Sequence, residues 1–141
     1  MEQQKSVIID AGHGGAEPGA MFEGRKEKDD TLRLAVAVGE ILENNGIRVM
    51  YTRTTDVYDT PLEKAMIANG SGADFFVSIH RNAMPVPGTG KGALNLVYEN
   101  TGPGALMAEN IQKNLVKAGF DDLGVQERPG IIVLRRTKMP A

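Results

Sequence analysis

Two histidines are present in the sequence, and each follows a short apolar run that is typical of a β-strand. His13 lies three residues past the run at 6–10, and His80 ends the run at 75–80. The carboxyl ends of parallel strands share one edge of a sheet, and open α/β proteins bind their ligands there. The two imidazole rings can therefore converge on one point, and zinc is a metal that accepts such a pair.

A third ligand is needed, because a catalytic zinc commonly binds two histidines and one carboxylate and keeps a fourth position open for water. Glu27 stands at the entrance to the first predicted helix, which opens on the same edge, and Asp29 and Asp30 are competing candidates. Each residue also has an ordinary structural interpretation. The helix dipole alone favours an acidic residue at a helix start, and a single histidine near a strand end is more often hydrogen-bonded than metal-bound.

Apolar runs alternate with helix-like stretches along the chain, which is the order expected of a single α/β domain over residues 1–141. We predict a mostly parallel mixed sheet flanked by helices, with the zinc site at the carboxyl edge of the strands. The predicted strands are residues 6–10, 47–52, 75–80, 93–98 and 131–135, and the predicted helices span about 31–45, 61–70 and 104–118.

Local signals mark the starts of two of these helices. Asp29 or Asp30 can cap the first helix, because a short acidic side chain accepts hydrogen bonds from the free N–H groups there. Thr60 and Glu63 match a capping box at the start of the second helix, with proline at its first position.

Two glycine-rich stretches, 12–19 and 85–92, each follow a predicted strand and so line the site by position. Neither has the pattern of a nucleotide-binding loop. The first lacks the G-x-G-x-x-G spacing, and the second lacks the first glycine and the Ser or Thr of a Walker A motif. We therefore do not expect a nucleotide cofactor.

Composition excludes several classes of protein. The 141 residues fit one domain, and the absence of cysteine excludes disulfides and thiolate metal sites. A net charge of -2 without a basic block argues against a nucleic-acid partner. No apolar stretch reaches the roughly 18 residues of a membrane span, and the N-terminus has no signal-peptide pattern. We expect a monomer with no membrane insertion.

Ordered blocks along nearly the whole chain carry a resemblance to a known family. They are Ile8-Ile9-Asp10-Ala11-Gly12-His13-Gly14-Gly15 with Pro18-Gly19-Ala20, Glu27-Lys28-Asp29 with Leu32, Thr52-Arg53 with Asp56, Ala68-Asn69, Ala73-Asp74, Ser78-Ile79-His80 with Asn82-Ala83, Gly92-Ala93, Val133-Leu134-Arg135 and Met139-Pro140-Ala141. With these blocks the sequence resembles the zinc-dependent N-acetylmuramoyl-L-alanine amidases of amidase family 3, which are cell-wall hydrolases of bacteria and their phages.

The resemblance implies that His13, Glu27 and His80 bind one zinc ion and that Asn82 lies beside the site as a substrate-binding residue. It also implies hydrolysis of the amide bond between N-acetylmuramic acid and L-alanine, with peptidoglycan as the partner. Such an enzyme acts at the bacterial cell wall, which it reaches by export or, if phage-encoded, by lysis. The glycines at 14–15 and 88–92 would let a bulky glycan-peptide approach the metal, or they are plain turn residues.

Two departures from the family pattern affect these expectations. Lys64 stands where the family usually has arginine, so any bidentate contact there is lost. In the family, the Met-Pro-Ala block leads into a strand with a Val-Glu-x-Gly-Phe motif, whose glutamate is thought to be the catalytic base. This sequence stops at Ala141, before that motif, so no catalytic base is expected within it. We expect that Ala141 is not the natural end, that the final strand and helix are missing, and that these 141 residues alone are weakly active or inactive.

Two other functions stay open. A catalytically silent, zinc-containing module could bind cell wall or regulate another protein without cutting the wall. Alternatively, His13 and His80 could be structural residues of a metal-free α/β domain. Release of amino groups from cell wall tests the first alternative, and the zinc content of histidine variants tests the second.

Overall fold

The computed structural model describes residues 4–81 and 92–141, and it is an α/β structure in which strands and helices alternate. The strands are β1 (Ser6–Ala11), β2 (Met21–Phe22), β3 (Arg25–Lys26), β4 (Arg48–Tyr51), β5 (Phe75–Ile79), β6 (Gly92–Val97) and β7 (Asp121–Glu127). The helices are α1 (Glu27–Asn44), α2 (Pro61–Ser71), α3 (Gly102–Lys117) and α4 (Ile132–Arg135). None of the described helices combines the length and the apolar character needed to cross a membrane.

Parallel pairing dominates the sheet structure, as the sequence predicts. The central sheet has the order β4-β1-β5, and both pairs are parallel. A second parallel pair joins β6 to β7, while β2 and β3 form a short antiparallel hairpin. Because β1 lies beside β5 in parallel register, the segments that follow these two strands leave the sheet at the same edge.

The central strand β1 is apolar on both faces, and helices cover each face. Ile9 packs with Ala35 of α1 on one face. On the other face, Ile8 packs with Phe76 and with Ala68 of α2. These side chains are at most 1% exposed, so β1 is the centre of the core and its carboxyl end is held in place from two sides.

Helix α1 begins at Glu27, four residues before the predicted start, and the predicted aspartate cap is wrong. Lys26 occupies the N-cap position without a side-chain hydrogen bond, and Asp29 and Asp30 lie inside the first turn. The first free N–H groups of the helix are satisfied by the chain that leads into it. Glu27 donates its N–H to the carbonyl of Ala20, and the next N–H along the helix is bonded in the same segment. A cap by a side chain is therefore not needed.

The start of α2 confirms the predicted capping box. The Thr60 hydroxyl accepts a hydrogen bond from the N–H of Glu63, and the Glu63 carboxylate accepts one from the N–H of Thr60. The helix continues past the predicted end at Gly70 and stops at Gly72, which has a left-handed conformation with φ of 73°. Such a residue is typical of a helix C-terminus.

The predicted strand at 131–135 is wrong, because these residues form the short helix α4. The apolar run is typical of a strand, but Val133 packs against the cluster around Ile8, and α4 lies on α2. Strand β7 is not predicted, because Asp121, Asp122 and Gly124 have low strand propensity. Its parallel pairing with β6 overrides that propensity.

A candidate metal centre

His13 lies in the loop after β1 and is held in an unusual backbone conformation. Its φ is 66°, a left-handed value that few residues other than glycine adopt. The ring Nδ1 is 2.8 Å from the carboxylate oxygen Oε1 of Glu17, four residues later. This contact uses one ring nitrogen and leaves Nε2 directed towards Glu27 at 3.1 Å. A carboxylate behind a histidine in this way fixes the orientation of a metal ligand.

Glu27 is the first residue of α1, and its side chain is 2% exposed. Two backbone donors hold the carboxylate from either side. Ala20 donates its N–H to Oε1 at 3.0 Å, and Arg81 donates its N–H to Oε2 at 2.9 Å. The carboxylate is thus oriented by the protein itself, before any ion is considered.

His80 directly follows β5 and completes the group. Its Nδ1 is 3.1 Å from Glu27 Oε2, the oxygen that Nε2 of His13 also approaches at 3.1 Å. One ligand atom from each of the three residues lies within 4.8 Å of the others. The two rings stand edge to face, with centroids 5.0 Å apart. His80 is 42% exposed at its side chain, so the centre opens to solvent on this side.

The Glu27 carboxylate is electrostatically prepared to stay charged. Burial alone would raise its pKa, because a charge in the interior loses hydration. The hydrogen bonds from His80, Ala20 and Arg81, together with the electrostatic effect of His13, outweigh burial and lower the pKa from 4.5 to about 2. The Glu27 carboxylate is therefore ionised over the whole neutral range.

This donor set fits zinc. Two imidazole nitrogens and one carboxylate oxygen are a common ligand set of catalytic zinc sites, which keep one position free. Nε2 of His13 and Nδ1 of His80 lie at equal distances of 3.1 Å from one carboxylate oxygen of Glu27, so the three donor groups converge on one point. The contact behind His13 and the backbone bonds to Glu27 supply the outer support that such sites require.

Two glycines permit the close approach of the ligands. A side chain at Gly12 would place its Cβ 2.5 Å from Cε1 of the His80 ring. At Gly19, where φ is 71°, a Cβ would lie 2.5 Å from the His13 ring and 2.8 Å from Oε1 of Glu27. Real Cβ atoms do not make such contacts, so both positions require glycine for the centre to form.

Arg53 ties together the backbone segments that carry two of the ligands. It follows β4 and is 4% exposed. Its guanidinium donates to the carbonyl of Gly12 at 3.2 Å, just before His13, and to the carbonyl of Lys28 at 2.9 Å, just after Glu27. A third bond reaches the carbonyl of Ala11. Five N–H donors in a fixed plane make arginine suited to joining several carbonyl groups.

Beneath the ligands lies a buried polar network around Asp10, which is 1% exposed. Lys64 of α2 places Nζ 3.1 Å from Asp10 Oδ1, and the hydroxyls of Thr52 and Ser78 donate to the same carboxylate. This network joins strands β1 and β5 to helix α2 and to the segment that follows β4. Lys64, where the resembled family usually has arginine, thus forms an ion pair as a lysine.

The competing carboxylates do not join the group of His13, Glu27 and His80. Asp29 is exposed, and Asp30 pairs with arginines instead. Asn82 and residues 85–91 of the second glycine-rich stretch lie outside the described residues. Gly14 and Gly15 pack against the backbone of Val57 and Tyr58, which favours the turn interpretation over an open approach for substrate.

The sequence alone predicts no role for two residues of the site, Glu17 and Arg53. Glu17 stands four residues after His13, and Arg53 follows β4 at the same sheet edge. The sequence signal for such a role is an acidic or basic residue just past the end of a strand. Charged residues in such positions are too common in this sequence for the pattern to distinguish Glu17 and Arg53 from the others.

Comparisons with known proteins identify relatives of this chain. The model of the Amidase_3 family, described as N-acetylmuramoyl-L-alanine amidase, matches residues 7–141. A sporulation-specific N-acetylmuramoyl-L-alanine amidase of Bacillus subtilis is 37% identical over 139 residues, and an endolysin of Bacillus phage SPP1 is 37% identical over 145 residues. These matches cover 96% and 97% of this chain but 52% of each relative, so the chain spans about half of their length.

Solved structures show the same fold. An N-acetylmuramoyl-L-alanine amidase from Clostridium difficile 630 superposes with a TM-score of 0.91 and 33% identity, over 99% of this chain and 77% of that chain. The catalytic domain of CwlV, an amidase from Bacillus (Paenibacillus) polymyxa, superposes with a TM-score of 0.88 and 30% identity, over 98% and 77%. The family match over residues 7–141 and the identity to these proteins place the chain in the N-acetylmuramoyl-L-alanine amidase family Amidase_3.

Proposed function

We propose that this chain is the catalytic part of a zinc-dependent peptidoglycan hydrolase that cleaves the amide bond between N-acetylmuramic acid and L-alanine. The single observation that carries the proposal is the convergence of His13, Glu27 and His80 at one sheet edge, with ligand atoms within 4.8 Å of one another. Membership of the amidase family supplies the reaction and the substrate class. The action would take place at the bacterial cell wall, which the protein reaches by export or after lysis.

The chain's own residues prepare the centre for this chemistry. His13, Glu27 and His80 would hold the ion, and zinc in such a site would act as a Lewis acid that lowers the pKa of water to about 7 and polarises a carbonyl group. Glu17 and Arg53 hold the ligand-bearing segments in place. The exposed side of His80 leaves a path for a bulky substrate, and we propose that Asn82 contributes to substrate binding there.

A general base is the component that the described residues do not provide. The carboxylates at the centre in 4–81 and 92–141 are Glu17 and Glu27, and both are engaged with a histidine. General acid–base help typically contributes about 10²- to 10⁴-fold in rate. We propose that these 141 residues alone are weakly active or inactive and that the base belongs to a following segment.

The edge of β5 supports this view of the base. Phe76 donates its N–H, on the side away from β1, to the carbonyl of Pro140 at 2.9 Å. A segment that continued from Ala141 as a parallel strand would run along β5 towards His80. A glutamate on that strand would then arrive at the metal centre. We propose that the domain is completed by this strand and a helix after it.

The experiment compares two forms of the protein on purified peptidoglycan. One is the chain of residues 1–141, and the other is a longer form that continues through the next strand; both are loaded with zinc. We expect the longer form to release free amino groups from L-alanine and the shorter form to release at least about 100-fold fewer. A His80→Ala variant of the longer form is the control and should release none. Zinc binding without any release by the longer form would instead favour a silent cell-wall-binding module.

A further inference from the structure

Three arginines surround one aspartate beside the metal centre. Asp30 lies on α1, and its carboxylate is 3.1 Å from Nη2 of Arg25 and 2.8 Å from Nε of Arg81. Arg33, one turn further along α1, pairs with the other oxygen. We call Arg25, Arg33, Arg81 and Asp30 the arginine cluster.

The charges in the arginine cluster do not balance. Three guanidinium groups face one carboxylate, and no other carboxylate in residues 4–81 or 92–141 forms an ion pair with them. Asp30 remains ionised, because hydrogen bonds from Arg25 and Arg33 outweigh the effect of burial and lower its pKa. Two positive charges are therefore left over. A network that served stability alone would gain little from this excess, since exposed ion pairs contribute about 0–1 kcal/mol each.

Arg81 has hydrogen-bonding capacity that no described residue uses. Its Nε and Nη2 have no hydrogen-bond partner among the described residues. The Nε lies 2.8 Å from Asp30, but its N–H is not directed at the carboxylate, so this contact is an ion pair without a hydrogen bond. Both nitrogens are buried, so an outside acceptor can approach only the exposed part of the side chain, which is 33% exposed overall. A planar guanidinium is well suited to binding a carboxylate through two N–H groups.

The arginine cluster borders the metal centre directly. Arg81 follows the ligand His80, and its backbone N–H is bonded to the ligand Glu27. Asp30 is three residues after Glu27 on the same helix, a spacing that places side chains about 5–6 Å apart. In an extended peptide each residue spans about 3.3–3.6 Å, so two residues cover roughly 7 Å. A group one or two residues from a bond held at the metal would therefore reach the cluster.

We propose that the arginine cluster is a binding subsite for a carboxylate on the peptide part of the substrate, within about two residues of the bond that is cleaved. The inference rests on the proposed function, because it assumes that a peptide is held at the metal centre. Asp30 orients the three arginines, and the surplus positive charge binds the carboxylate. The exposed parts of Arg33 and Arg81, which are 74% and 33% exposed, make the contact.

Calorimetric titration of the zinc-loaded chain with two small ligands tests the subsite. The ligands are N-acetylmuramoyl-L-alanyl-D-glutamate and the same compound with both carboxylates converted to amides. We expect the free carboxylate form to bind about five- to tenfold more tightly. Arg81→Gln should remove this preference, and Arg33→Gln, an exposed position whose loss leaves the core intact, should reduce it. Arg48→Gln makes the same charge change at the exposed amino end of β4 and should leave the preference unchanged.

The outcomes separate this inference from the proposed function. Equal binding of both ligands by the wild-type chain would overturn the subsite and leave the amidase proposal standing. Loss of the preference in Arg48→Gln as well would also overturn it, because the effect would then be one of net charge. Tighter binding of a phosphate-bearing wall polymer than of the free carboxylate ligand would assign the cluster to a different partner. If neither muramyl compound binds, the subsite and the proposed substrate both fail.

Discussion

Residues 4–81 and residues 92–141 are held together by different kinds of interaction. Among the described residues, every buried polar or charged side chain except Gln112 lies in the first region. There the groups join distant segments, as Asp10 and Arg53 do. The second region packs mainly through small apolar residues such as Ala105 and Ala108. It meets the first through α4 on α2 and through the bond from Phe76 to the carbonyl of Pro140.

This difference separates binding from stability. Directional hydrogen bonds and ion pairs set the positions of ligand atoms closely, because their energy depends on distance and angle. Apolar packing contributes free energy of folding without that directional control. Substitutions of the polar side chains around the metal centre in the first region should therefore change metal affinity, and substitutions in the second region should change stability alone.

Replacing Glu27 by glutamine should have the largest effect. The variant keeps the shape of the side chain but removes the charge that both histidines approach. Competition with a chromophoric chelator measures the zinc affinity. Loss of a residue that hydrogen-bonds to a metal ligand typically lowers the affinity by roughly 10- to 100-fold, and the loss of Glu27 itself should lower it further. Glu40→Gln, at an exposed position of the same helix, should bind as the wild type does. Unchanged affinity in Glu27→Gln would disprove the metal centre.

Arg53→Lys should affect both properties, because Arg53 joins the segments that carry His13 and Glu27. A lysine cannot reach three carbonyl groups at once, so buried acceptors lose their partners. We expect the free energy of unfolding to fall by about 2–4 kcal/mol and the zinc affinity by about tenfold. Urea unfolding and zinc titration measure these changes, with Arg128→Lys on the exposed surface as the control. A loss of stability at full zinc affinity would mean that the hydrogen bonds of Arg53 do not position His13 and Glu27.

Val133→Ala should change stability and leave the metal centre intact. Val133 of α4 packs against the cluster around Ile8, far along the chain from every ligand. Because it is only partly buried, we expect a loss of about 1–2 kcal/mol in the free energy of unfolding, with unchanged zinc affinity. Val116→Ala on α3, where the valine is 37% exposed, should cost less. A large fall in zinc affinity in Val133→Ala would show that the two regions are not separable.

Glu17→Gln should have the smallest effect. The amide can still contact Nδ1 of His13, but it no longer places a negative charge behind the ring. Because Glu17 is 42% exposed, we expect zinc affinity to fall by about tenfold or less, with no change in unfolding by urea. Glu109→Gln, exposed on α3, is the matched control. A clear loss of stability in Glu17→Gln would indicate a structural role for the contact rather than a positioning one.

Local patterns in the sequence predicted much of the fold. The positions of β1, β5 and the Thr60 capping box follow from nearby residues, since strand patterning and capping act over a few positions. The errors lie where distant contacts decide. Residues 131–135 have strand-like composition but fold as α4 on α2, and β7 forms against its propensity because β6 lies beside it.

The sequence by itself determined the kinds of donor and where they stand relative to the strands. Two histidines after two parallel strands were enough to indicate a metal pair, and the family resemblance named Glu27 as the third member. Only the tertiary structure decided that Glu27 rather than Asp29 or Asp30 faces both rings. The physical reason is the separation along the chain between Glu27 and the residues that orient it. The hairpin β2–β3 starts α1 at Glu27 itself, and the bonds that orient its carboxylate come from residues seven and 54 positions away, beyond the reach of any local pattern.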